Sequence, residues 1–522
     1  MVLAHRHPDV QSRAEALLPA LVALCLGTAA ALLGWRGADL PAQLFRIELF
    51  RRHGLALWNN QWYGGHFTFG YSIITPVLGA FVGPVVLGVA SAIVASVCFD
   101  RLLRVISPNA TFASLLFAAG TVTNLAVGRL TFALGMAFGL AALLAAQRGY
   151  RVVAVVLTVL CPLASPVAGA FLALAWATWA LTERRWTGAA LAGASLAPIL
   201  LIGLIFPSAG AFPYRWPALV MTFAVCAGGW LVLPREQRLV RNGFALYGAA
   251  AALTFLVPSP LGGNVNRLGM YVAAPLLVAL TDRKVIVALG LPVLLLWQWT
   301  PAVDAIARAG DDLSTHREYH EPLLRFLAGV EEPSRVEIPF TKRHFEAFYV
   351  ANDFAIARGW ERQLDIEHNP IFYEPVLSVA DYHQWLIVNG VSFVALPDAE
   401  LDDSAIAEAA LLATDLPFLR PVWRDVHWQV WEVIDSPGLV DGPARLVSMD
   451  AEEVVLEVNE PGDVLVRLHH SQHWALDGAG CIASGPDGWL VLQASQAGLV
   501  TLHPSLGAGW TESPSGPACP EG

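Results

Sequence analysis

The chain has 522 residues, 55% of them hydrophobic and only 14% charged, with a mean hydropathy of +0.52. An ordinary soluble enzyme carries about 25% charged residues, so composition excludes a globule solvated by water throughout. The net charge of −11 divides into +12 up to Thr300 (20 Lys+Arg, 8 Asp+Glu) and −23 beyond it, which marks lipid around the first part, water around the second, and no basic face for nucleic acid.

Residues 1–13 are polar and include Arg6 and Arg13. The apolar run 16–35 matches the ~20 residues that cross a bilayer and predicts a first transmembrane helix, not a cleaved signal. Ten more apolar runs follow at 74–98, 110–127, 130–147, 151–164, 166–182, 187–206, 216–233, 243–258, 267–280 and 285–300. They predict a polytopic all-α membrane bundle of about eleven spans over residues 1–303. With the N-terminus in the cytoplasm, 13 Lys/Arg fall in inner segments and 7 in outer ones, the latter being Arg215, Arg129, Arg267 and four around a single loop, Arg36, Arg46, Arg51 and Arg52. That bias sets the orientation, and an odd number of spans places everything after 303 outside the cytoplasm in a cell-membrane protein.

From about residue 304 the pattern changes. Residues 335–340, 391–396 and 424–434 read as strands and 402–414 as a helix, together an extracytoplasmic α/β module over 304–436. Residues 453–458, 463–468 and 489–493 read as strands joined by turns at 460–463 and 486–488, a small antiparallel β-sandwich over 437–508. The Pro/Ser/Gly-rich tail 509–522 is expected to be disordered. Outside the cytoplasm Cys481 and Cys519 can pair or remain two thiols; both readings stay open. His469, His470 and His473 invite a metal, but strand-and-turn histidines are more often plain surface residues.

The chain shows no Walker loop, His-Glu-x-x-His or paired Cys-x-x-Cys. Of the eight acids before Thr300, the expected topology turns only Asp39 and Glu48 outward, both in the long first outer loop 37–72. A carboxylate there can act as general base or hold a divalent cation. In the same loop Arg51 and Arg52 suit a phosphate. Trp58, Trp62, Tyr63 and His66, in WNNQWYGGHFTFGY over 58–71, form an aromatic and amide mixture typical of sugar-binding surfaces and equally of an interfacial belt. Arg129 and Arg267 each begin a helix at the outer face, where a charge either snorkels or serves a function.

The segment 39–54, DLPAQLFRIELFRRHG, followed by LWNNQWYGG over 57–65, resembles the start of GT-C-type membrane glycosyltransferases. It is most similar to bacterial YfhO-type multi-spanning proteins, as is SQHWALDG over 471–478 followed by GWLVLQ over 488–493. The resemblance implies a GT-C-like bundle and inverting transfer of a sugar from a polyprenyl-phosphate donor to an envelope glycan or lipid acceptor. It implies Asp39 as general base or as ligand of a magnesium or manganese ion, with Arg129 and Arg267 on the lipid phosphate. Many GT-C enzymes carry a second acid in a later outer loop. This chain has none there, which leaves a non-catalytic envelope-assembly relative, whose sandwich binds a glycan or partner, as an alternative. A transporter or lipid flippase is a further one, disfavoured by the lack of acids inside the expected spans.

Overall fold

The computed structural model describes residues 10–107, 110–207, 210–308, 310–505 and 519. Arg6, Asp9 and the tail 509–522, Cys519 excepted, lie outside the described residues. The chain divides into two compact units: residues up to 43 with 70–311, and residues 44–69 with 312–522. Sequence alone kept 44–69 with the membrane half.

The first unit is helical. Its helices are α1 (Val10–Leu32), the start of α2 (Leu40–His53), α3 (Ile74–Val82), α4 (Pro84–Ile106), α5 (Thr111–Val127) and α6 (Leu130–Gln147). They continue as α7 (Arg151–Ala164), α8 (Pro166–Glu183), α9 (Trp186–Ile205), α10 (Trp216–Val232), α11 (Arg238–Leu256), α12 (Asn266–Leu280) and α13 (Lys284–Ala307). α5 packs against α1, α4, α12 and α13, and α6 against α4 and α7. Large apolar side chains also face outward, with Leu204 81% and Phe81 79% exposed. A helix apolar all round needs an apolar solvent, and the chain is a membrane protein.

Among the described residues five helices are long and apolar enough to cross a membrane: α4, α6, α9, α11 and α13. Four more apolar stretches, in α1, α5, α7 and α10, have 10–17 residues. The eleven expected spans are therefore not all reproduced as helices of spanning length. The run 74–98 breaks at Gly83, whose φ of 84° ends α3, and Pro84 starts α4, the usual Gly-stop and Pro-start asymmetry. α4 then runs on to Ile106 and buries Asp100 in a pair with Arg104 Nε at 2.8 Å. One acid thus lies inside an apolar helix where none was expected.

The second unit begins with the rest of α2 and the paired strands β1 (Trp58–Asn59) and β2 (His66–Phe67). After α14 (Arg317–Ala328) comes a mixed sheet in the order β4-β3-β5-β7-β6. Its strands are β3 (Arg335–Glu337), β4 (Ala355–Ile356), β5 (Val391–Pro397), β6 (Leu419–Arg424) and β7 (Trp428–Val433), with α15 (Glu346–Tyr349), α16 (Arg362–His368), α17 (Val379–Val388) and α18 (Ile406–Leu412) in the connections. The strand expected over 424–434 is the end of a hairpin: Asp425 accepts from the backbone of His427 and Trp428 and turns the chain.

Two antiparallel four-stranded sheets follow. One orders β12 (Trp474–Asp477), β15 (Gly498–Pro504), β10 (Val454–Val458) and β9 (Ala444–Met449); the other orders β13 (Gly480–Ser484), β14 (Trp489–Ala494), β11 (Gly462–His469) and β8 (Val440–Asp441). β10 alternates buried and half-buried residues, the period of a strand with one face in a core. Cys481 and Cys519 are joined by a disulfide, their Cα atoms 5.1 Å apart.

Arg358 is fully buried in the α/β part. It grips Asp365 with two hydrogen bonds, 3.1 and 2.7 Å, between the rings of Phe340 and Phe372. Its Nη1 lies 3.9 Å from Glu337 and 3.7 Å from Glu408. One cation faces three buried acids, and two of them, Glu337 and Glu408, are held above the usual carboxylate range. Burial pushes Glu408 up to about 7 against the pull of Arg358, and burial and Glu408 hold Glu337 well above the carboxylate range. The folded state keeps a proton that the unfolded chain releases above about 4.5. The stabilisation is complete below that pH and is lost as pH rises through about 7. Unfolding scans of the purified chain between pH 5 and 8 should show stability falling, by at most about 1.4 kcal/mol per pH unit for each proton retained. Glu408→Gln, neutral at every pH, should flatten that slope.

Candidate functional site

Asp39 lies just before α2, and its position is set by backbone. Gly37 and Gly128 stand where two segments touch: a Cβ on Gly37 would meet Val127 Cα at 2.4 Å, and one on Gly128 would meet Leu40 N at 2.3 Å. Gly128 also caps α5 in the left-handed region, at φ 92°, where glycine avoids the Cβ penalty. The Asp39 amide donates to the Val127 carbonyl at 3.0 Å. This clamp brings the Asp39 carboxylate to Arg129, the residue after the cap, whose Nε donates to Oδ2 at 2.8 Å.

Arg267 comes from the first turn of α12, its Nη2 3.9 Å from the same Asp39 oxygen and its guanidinium over the Phe132 ring at 5.6 Å. One helical turn on, Tyr271 bonds Asn124 at 2.6 Å and Thr123 at 2.8 Å on α5. That brace fixes α12 to α5, whose capping residue Gly128 immediately precedes Arg129. The three charged side chains are each 16–26% exposed. Two guanidinium groups against one carboxylate leave an excess of one positive charge.

Among the described residues Arg267 is also the one charged group lining a cavity of about 570 Å³. Its walls are apolar, among them Phe117, Met136, Phe171 and Trp179. The lining follows α6 from Phe132 to Gln147, about 22 Å at 1.5 Å per residue. A long apolar body with a cationic end suits an amphipathic anion. The surroundings of Asp39 fit a protein-held magnesium or manganese ion poorly: the carboxylate is engaged by two cations, and the described residues contain no group of three or more His, Cys, Asp or Glu able to hold a metal.

The structure thus brings together Asp39, Arg129 and Arg267. The other candidates belong to the second unit. Glu48, on α2, pairs with Arg51 at 3.4 Å and Arg52 at 3.1 Å, and Arg52 also reaches Asp353 at 2.9 Å. These are half-exposed helical ion pairs, worth a few tenths of a kcal/mol (~0.3–0.5).

The aromatic stretch differs from the expected sugar-facing surface. Trp58, Trp62, Tyr63 and His66 are all buried. Trp62 stacks on Phe45 at 4.4 Å and on His66 at 5.6 Å, and its N–H donates to Ala347 at 3.1 Å. Gly64 and Gly65 have φ of 75° and 108°, and a Cβ on Gly65 would strike the Trp58 ring. The Trp…Gly-Gly pattern is thus a packing motif here. Burial, then Arg46, holds His66 well below the usual imidazole range. Of the four, Tyr63 lines a cavity, with His469. His473 is buried, not on the surface.

No protein-family model matches the chain, and no curated protein sequence matches it. Among solved structures it is similar to arabinofuranosyltransferase AftD from mycobacteria, at 13% identity and a TM-score of 0.47, over 86% of this chain and 41% of that one. A mutant form of the same enzyme gives 14% and 0.48, over 87% and 43%. The chain spans about two fifths of their length, and neither TM-score reaches 0.5.

Gly128→Ala tests the clamp. It adds both the left-handed strain and the collision with Leu40, whereas Gly34→Ala, at φ 65° with open space around it, adds the strain alone. Thermal unfolding in detergent should show Gly128→Ala the less stable of the two by about 1–3 kcal/mol, the scale of overpacking. Equal midpoints would mean that no close approach exists.

Proposed function

We propose that the chain is a GT-C-type membrane glycosyltransferase that takes a sugar from a polyprenyl-phosphate donor. The observation that carries this reading is the Asp39–Arg129–Arg267 group with Arg267 at the end of the apolar cavity. The prenyl chain lies along α6, where no hydrogen bonds are asked of it, and the phosphate meets Arg267 and Arg129. An acceptor hydroxyl attacks the anomeric carbon as the bond from that carbon to the phosphate oxygen breaks. The bond electrons leave with the phosphate, and the hydroxyl proton passes to the Asp39 carboxylate. The charge that grows on the leaving phosphate faces the excess guanidinium charge, the arrangement that lowers a barrier most. The resemblance of residues 39–65 to GT-C enzymes, nearest the YfhO type, supports the same reading. So does the excess of Lys/Arg in alternate loops, from which Asp39 is expected to face away from the cytoplasm, toward an acceptor in the cell envelope.

In nanodiscs with a radiolabelled polyprenyl-phosphate sugar and an envelope-glycan acceptor, Asp39→Asn should reduce transfer by about 10²–10⁴-fold, the range of a lost general base. Arg267→Met should raise the donor KM by about tenfold or more, the loss of a charged hydrogen bond. Undiminished transfer by Asp39→Asn would sink the catalytic assignment. Donor binding that survives without transfer in the unmodified chain would favour a flippase or a non-catalytic lipid-binding relative.

A further inference from the structure

We propose that the second unit carries a saccharide-binding site of its own, in a cavity of about 360 Å³ between α17 and the β-sandwich. The site rests on residues of that unit alone and holds whether or not Asp39 catalyses transfer.

The cavity is built on a column of four stacked rings. Tyr63 lies 5.5 Å from His368, His368 4.7 Å from His469, and His469 4.5 Å from Trp489, with interplanar angles of 22–30°. All four line the cavity. Burial lowers both imidazoles, His469 to about 3 and His368 below its usual value, so the column is neutral near pH 7. Trp489 is 4% exposed, and its indole N–H has no hydrogen-bond partner among the described residues. A buried donor of that kind costs about 1–3 kcal/mol until an acceptor arrives.

At the rim stand Asp381, Gln384 and Asp487, all exposed. Among the described residues the lining contains no Lys or Arg, so an anion is disfavoured. The faces of the column are taken up by its own stacking, so recognition falls to the polar groups around it. Carboxylates and an amide accept from and donate to the hydroxyls of a pyranose or furanose, and a ring or hydroxyl oxygen can accept from Trp489. The volume falls within the range of small-ligand pockets, about 300–1,000 Å³. Tyr63 enters from the segment 58–71, whose other aromatics are spent on packing.

The test uses the full chain in a zwitterionic detergent free of sugar, with maltotriose, mannotriose and galactotriose as probes in saturation-transfer NMR. At least one should receive transfer to its ring protons. Its affinity should fall about tenfold in Gln384→Ala and in Asp487→Asn, each loss being that of one hydrogen bond. Both residues are exposed, and asparagine tolerates the positive φ of Asp487, so neither change threatens the fold. Absence of transfer to all three probes, unchanged affinity in both variants, or displacement of the sugar by tetramethylammonium would overturn the proposal.

Discussion

The proposed chemistry of the membrane unit depends on one ion group, Asp39 with Arg129 and Arg267. Charges in an apolar bundle are expensive, about 2.5–3.5 kcal/mol each at the middle of a spanning helix. These three sit at helix termini, where the cost is smaller, and a carboxylate offsets one of the two cations. What places them is uncharged: Gly37 and Gly128 let two backbones touch, and Tyr271 ties α12 to α5 through Asn124 and Thr123. The excess positive charge therefore stands on a rigid frame, and a second anion would complete it.

The second unit solves the opposite problem. Arg358 is a single cation among Glu337, Asp365 and Glu408, all fully buried. Removing one partner of a buried pair costs far more than the pair itself contributes, so the network constrains what its neighbours can become. Protonation makes up the missing positive charge, and it ties the stability of this unit to pH. The charge balance of −23 beyond Thr300 thus includes acids that are neutral in the folded protein near pH 7.

Part of this was legible in the sequence. Asp39, Arg129 and Arg267 stand out because charge is rare in an apolar background, and scarcity points at chemistry more reliably than motif does. The strands of residues 440–508 announce themselves by alternation and by Pro-Gly and Asp-Gly turns. The run 58–71 was misleading because Trp, Asn and Gly are shared by sugar-binding surfaces and by tight aromatic cores. Only the contacts of Trp62 with Phe45 and His66 tell them apart. The break at Gly83–Pro84 lay in plain letters, but a hydropathy average passes over two residues. His368 and His469, 101 positions apart in sequence, meet face to face at 4.7 Å, a contact with no local signal.

The two cavities differ in their linings, and the two proposals rest on that difference. That of the membrane unit has apolar walls and a guanidinium as its sole charge, so it rewards a ligand that is greasy along its length and anionic at one end. That of the second unit has stacked rings in its wall, two carboxylates and, among the described residues, no Lys or Arg, so it disfavours an anion and suits a neutral ligand with many hydroxyls. Neither could serve the other's ligand: a phosphate would meet Asp381 and Asp487, and a free sugar would leave its hydroxyls unpaired among Phe117, Phe171 and Trp179. A prenyl-phosphate head and a glycan are the two chemistries a lipid-dependent sugar transfer must handle, and on the proposed reading they fall to separate pockets.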